Sequence, residues 1–139
     1  MSHLTHFLIK LLKISFTDAL GTVDQQQLEN LHAFLLAIDE VNKRSDILPD
    51  HHVNFVIRTP LPDSFVSINS ASLDLIQNNV SGVVGSLDNF GTDASNRYFN
   101  EFKIVQSHSF AMGTEFGIGE NYPYKVQTVP IDSFQGSLY

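Results

Sequence analysis

Six histidines, the carboxylate doublet Asp39-Glu40 and the tripeptide Asn79-Val80-Ser81 are the residues whose types and spacing invite chemistry in this chain. A histidine set can hold zinc when its members converge with tetrahedral spacing. His51 and His52 are adjacent, so on a strand they point to opposite faces. His3, His6, His32 and His108 are scattered, and no metal site is expected. Asp39 and Glu40 face different directions on a helix, and each has a basic residue one turn on, Lys43 and Arg44. They read as a solvated helix face rather than an acid–base pair. Asn79-Val80-Ser81 fits the acceptor pattern for N-glycosylation, which matters only in a secreted chain. Residues 17–21 lack the glycine-rich turn of a phosphate-binding loop, and no serine sits in a nucleophile-elbow context. A phosphoacceptor would want an aspartate where Gly85-Ser86 stand. The expectation is a protein that is not an enzyme and carries no cofactor.

Composition narrows the partners. With 139 residues and 42% hydrophobic content, the chain has material for one packed domain. A net charge of −7 and a pI near 5.1, with the 8 basic residues scattered, argue against nucleic acid, which requires clustered Lys and Arg. The absence of cysteine excludes disulfides, thiolate chemistry and Cys-bound zinc. No apolar run approaches the roughly 20 residues of a membrane span. Phe7-Leu8-Ile9 and Leu11-Leu12 form a short apolar region, but Lys10 and Lys13 interrupt it and no convincing cleavage site follows. The N-terminus is therefore read as an extension over 1–9 and a first strand over 10–16, with 10–139 as one domain.

These residues must be held by alternating elements. Thr22 is a plausible N-cap with Gln25 three residues on, and Leu28, Leu31, Leu35, Ile38 and Val41 then recur at helical spacing, with Phe34 widening the stripe. Val53, Phe55 and Ile57 alternate in a second strand that Pro60 and Pro62 stop. A helix over 69–79 puts Leu73, Ile76 and Val80 inward. The short apolar run 82–85 follows as a buried strand. Then come a helix over 92–102 burying Tyr98, Phe99 and Phe102, a strand over 103–107, and a fifth strand over 124–129. Asp132 opens a further helix as its N-cap, and the chain stops there. Helix and strand alternating at this spacing predict an α/β fold with a mostly parallel five-stranded sheet between helical layers. Such sheets take ligands in the crevice beyond the carboxyl ends of their strands.

The order and wording of these segments resemble the amino-terminal lobe of the type I periplasmic-binding-protein-like family, which includes the receptor ligand-binding regions. The residues that carry the likeness are 34–42 (Phe-Leu-Leu-Ala-Ile-Asp-Glu-Val-Asn) with Leu48-Pro49, the 82–86 strand end, and 122–136 from Tyr122-Pro123-Tyr124 through Thr128-Val129-Pro130 to Phe134-Gln135-Gly136. The resemblance covers the chain from about Lys10. It implies a flavodoxin-like half of a two-lobed clamshell with strand order 2-1-3-4-5, ending at the start of a helix. It further implies an extracellular or periplasmic module that binds a polar small molecule such as an amino acid or carboxylate. By the same likeness, ligand contacts fall after the third and fourth strands, at Ser86, Asp88 and Asn89, and at Ser107, His108 and Ser109. Hydroxyls, amides and backbone N–H groups beside a helix N-terminus can hold a carboxylate there. The polar 86–89 stretch also reads as a turn and N-cap, and His108 also reads as a strand-end histidine with no ligand role. Receptor first lobes pair through helices, which places a possible homodimer contact on 69–79 and 92–102.

Overall fold

The computed structural model describes residues 10–17, 25–61, 63–85, 88–108, 111–117, 120–130 and 132, with side chains from Glu29 onward. Strands β1 (Lys10–Thr17), β2 (His51–Arg58), β3 (Gly82–Val84), β4 (Val105–His108) and β5 (Lys125–Gln127) form one sheet in the order β2-β1-β3-β4-β5. Every pairing is parallel. Helices α1 (Gln25–Lys43), α2 (Phe65–Gln77) and α3 (Asn89–Glu101) connect the first four strands, and a 3-10 turn, Thr114–Gly117, precedes β5. The expected α/β class with a parallel sheet is what the chain forms. Thr22 as a helix cap and any helix following Asp132 lie outside the described residues.

Strand parity sorts the core into two layers. Val53 and Ile57 of β2 and Val84 of β3 pack beneath Phe34 and Ile38 of α1. The alternate positions Val56 and Val83 face the other way and meet Leu75 and Val80 after or within α2, Phe99 of α3 and Ile104. Period-two alternation in strands against a 3.6-residue helical stripe produces this division without further instruction. The register Phe16↔Val84, Val84↔Ser107 and Ser107↔Val126 brings the strands to a common carboxyl edge.

The ends of α2 and α3 share one solution. After α2, Asn79 adopts φ 54°, its N–H bonds Ile76 O at 2.9 Å, and Val80 N–H bonds Leu75 O at 3.4 Å. After α3, Lys103 adopts φ 55°, its N–H bonds Asn100 O at 3.1 Å, and Ile104 N–H bonds Phe99 O at 2.8 Å. Both are Schellman motifs, in which a left-handed residue satisfies the last carbonyls and an apolar pair clamps the turn. The clamping pairs Leu75–Val80 and Phe99–Ile104 belong to the same core cluster. Each motif therefore stops a helix and feeds the following strand into the sheet.

Several expectations are corrected. Helix α2 begins at Phe65 rather than 69, because Ser64 accepts from Ser67 N–H at 3.3 Å and caps it. Its inward stripe is Ile68, Ser72 and Leu75, while Leu73 turns outward. Ser72 reaches the interior because its hydroxyl donates to Ile68 O at 2.8 Å, so a polar letter hides on the apolar face. Helix α3 begins at Asn89 rather than 92, capped by Asp88. Phe102 is 54% exposed, since it is the C-cap of α3 and Phe99 already fills the core position. Arg44 pairs with Asp46 at 2.6 Å instead of Glu40, because the helix has ended at Lys43. Asp39 and Lys43 do form their ion pair, which is solvent-exposed and worth little.

Candidate functional site

At the carboxyl edge, β3 is followed by Gly85, whose φ of 111° needs glycine. Its N–H bonds Ser107 O at 2.8 Å, and its carbonyl accepts from Gln106 Nε2 at 2.7 Å. Gln106 is wholly buried and also donates to Ser95 Oγ at 2.9 Å, while its Oε1 accepts from Asn96 Nδ2 at 2.9 Å. One side chain thereby ties the end of β3 to the middle of α3. The start of α3 is set by Asp88, whose carboxylate accepts from Gly91 N–H at 2.5 Å, as an acidic N-cap should. Asn89 Oδ1 accepts from Met112 N–H at 3.0 Å and Gly113 N–H at 3.3 Å. That bridge fastens the chain after β4 to the first turn of α3. The two connections flanking the edge are thus one unit.

His108 ends β4 on the α3 side of the sheet, the same side as Gln106. It is 2% exposed, its ring lies 5.5 Å from Phe116, and neither ring nitrogen has a partner among the described residues. Burial, with the Lys125 charge adding to it, pushes its pKa down to about 4. Lys125 is held between aromatic faces, 5.4 Å from both the Phe116 and Tyr122 ring centres, and donates to Phe116 O. Burial lowers its pKa. Tyr122 donates to Asp93 Oδ1 at 2.7 Å, and burial followed by that carboxylate raises it to about 12. This cluster braces the chain between β4 and β5 against α3.

Of the sequence-derived site residues, Asp88 and Asn89 come together at the start of α3, with His108 packed on the same side of the sheet. Ser107 is half-buried and, by register with Val84, points to the α1 side. Adjacent strand residues cannot share a face. Ser86 and Ser109 lie outside the described residues. Sequence reasoning missed the N–H groups of Met112 and Gly113, and Thr128, whose N–H and Oγ1 reach His108 O at 3.2 and 3.4 Å. Gly113 within the glycine-punctuated stretch was the available signal. Among the described residues, no three His, Asp or Glu side chains converge to hold a metal, and no helix is long and apolar enough to cross a membrane.

In open parallel sheets of this kind ligands sit in the crevice beyond the carboxyl ends of the strands, the edge that the Gln106 and Asn89 ties brace. The chain belongs to the receptor family ligand binding region, whose family description matches residues 29–138. Among solved structures it is similar to the branched-chain amino acid transporter substrate binding protein LivJ from Streptococcus pneumoniae, solved in complex with isoleucine. The two superpose with a TM-score of 0.75 at 21% identity, over 89% of this chain and 35% of the other. The chain thus spans about a third of the length of that protein. No curated protein sequence matches it significantly.

Proposed function

We propose that this chain is one lobe of a non-enzymatic, two-lobed binding region for a polar small molecule, an amino acid or carboxylate, working outside the cell or in the periplasm. The observation that carries this is the pair of ties at the carboxyl edge, Gln106 to Gly85 and Asn89 to Met112 and Gly113. Ser86, Asp88, Asn89 and Ser109 are the contacts we assign; of the other two expected contacts, Ser107 turns to the α1 side and His108 is buried against Phe116. Asn89 is exposed and its oxygen is occupied by backbone donors, which leaves its amide N–H groups to face a ligand oxygen. Asp88 suits an ammonium group. The order 2-1-3-4-5 makes the lobe a flavodoxin-like half of a clamshell. A second lobe would close over the edge, and a ligand touching both lobes would favour the closed state through its differential contacts. Two features support a further layer of chain: Val105 and Val126 on the α1 side are exposed, and parallel sheets are otherwise covered on both faces.

The test is calorimetry with isoleucine, other amino acids and small carboxylates on this chain and on a form extended by a second lobe. The extended form should bind in the micromolar range, about −8 kcal/mol, and the lone lobe roughly a thousandfold more weakly. Micromolar binding by the lone lobe would refute the need for a second one. Silence from the extended form toward every probe would refute ligand binding.

A second reading is an association module that pairs copies through α2 and α3. A groove of about 450 Å³ between these helices is lined by Phe65, Leu73, Ala94, Tyr98 and Phe102 together with Arg97 and Glu101. Phe65 is 52% exposed and makes an edge-on contact with Phe90 across the helices. A largely apolar patch that also carries one charge of each sign suits a self-complementary, two-fold contact.

A further inference from the structure

We infer that Asn79 is an N-glycan acceptor, the attachment point at which a secreted form of this chain carries its sugar. Asn79-Val80-Ser81 is the one Asn-X-Ser/Thr tripeptide among 139 residues, so the chain offers a single address. Its place in the fold suits the task on three counts. Asn79 and Ser81 are both exposed, while Val80 between them is buried at 4% and anchors the turn. The backbone of Asn79 is spent in the Schellman turn, its N–H bonded to Ile76 O at 2.9 Å, whereas no hydrogen bond holds its side-chain amide among the described residues. Lastly, the tripeptide precedes β3, which starts at Gly82, so a glycan leaves from the amino edge of the sheet. The candidate crevice is at the opposite, carboxyl edge, and a sugar at Asn79 leaves it open.

The reaction is a group transfer from a lipid-linked oligosaccharide diphosphate, the donor supplied in the secretory lumen. Asn79 Nδ2 forms a bond to the sugar C1, the C1–O bond to the diphosphate breaks, and the amide proton departs as the diphosphate leaves. In the finished fold the Leu75–Val80 clamp keeps the tripeptide curled. Transfer therefore belongs to the nascent chain, and the fold accommodates the product.

A left-handed Asn at a helix stop is also what helix capping alone would select, and the test separates the two roles. The full chain, fused behind a secretory leader, is translated with microsomes, and the protease-protected fraction is followed by gel mobility. We expect one step of retarded mobility, abolished by peptide N-glycosidase, absent in Ser81→Ala and retained in Ser81→Thr. Ser81→Ala leaves the left-handed Asn79 intact, so its loss of the shift cannot come from a broken helix stop. Asn79→Asp, which keeps a residue tolerant of positive φ, should also lose the shift. A protected wild-type chain with unshifted mobility would overturn the proposal, as would a shift that survives in Ser81→Ala. No ligand is used, so the result is independent of whether the lobe binds one.

Discussion

His108 concentrates the chemistry of a single buried side chain. In the unfolded chain an imidazole titrates near 6.5, but in the fold burial and Lys125 push it down to about 4. Between those values the unfolded state binds more protons, so stability rises with pH. The contribution is fully present above about 6.5 and is lost as pH falls toward 4, amounting to roughly 3 kcal/mol at its largest. Urea melts from pH 4 to 7 should show this slope, and His108→Phe, which sets a second ring beside Phe116, should flatten it. An unaltered slope in the variant would place the acid sensitivity elsewhere. The sequence presented His108 either as a strand-end histidine or as a ligand contact. Its side of the sheet followed only from the register that sets it beside Gln106 and opposite Ser107.

Helices α2 and α3 show how much of an element is written locally and how much is not. Apolar spacing predicts both helices but starts them at 69 and 92, later than Phe65 and Asn89. Ser64 and Asp88, the caps, stand outside the apolar periodicity. Their ends use left-handed residues, and Lys103 is a costly choice, because a side chain with Cβ loses roughly 1–2 kcal/mol in that region. Lys103→Gly should therefore stabilise the protein by about 0.5–1 kcal/mol after glycine's own entropy is counted, seen as a higher urea midpoint with an unchanged m-value. Lys103→Val should lower the midpoint. Asn79→Gly should change little, since Asn tolerates the same conformation. Equal gains at both positions would show that the left-handed turns are not what limits stability.

The whole molecule presents two unfinished surfaces, the carboxyl edge and the α2–α3 groove. If copies pair through the groove, light scattering across a concentration series should reveal a dimer, and Phe102→Glu should hold the protein monomeric with an unchanged melting midpoint. That side chain is more than half exposed, so its charge is accommodated in the monomer. A strict monomer at high concentration would remove the association reading. The alternation of helix and strand, and hence the parallel α/β class, was legible along the chain because hydrophobic periodicity is a local property. So was the polar character of Ser86, Asp88, Asn89 and of 107–109. The side α1 turns to the sheet was legible from its stripe, since Leu31, Phe34, Leu35, Ile38 and Val41 pack into one cluster, but that of α2 was not. Ser72, Thr92, Ser95, Asn96, Gln106 and His108 are polar yet buried. Ser72 bonds back within its own helix, whereas Ser95, Asn96 and Gln106 find partners distant in sequence, such as Gln106 with Gly85. Hydrogen bonds of that kind, like Asn89 reaching Met112, exist only once the strands lie side by side. Spacing along a chain specifies what each segment tends to become, whereas the burial of a polar group depends on a neighbour that folding brings to it.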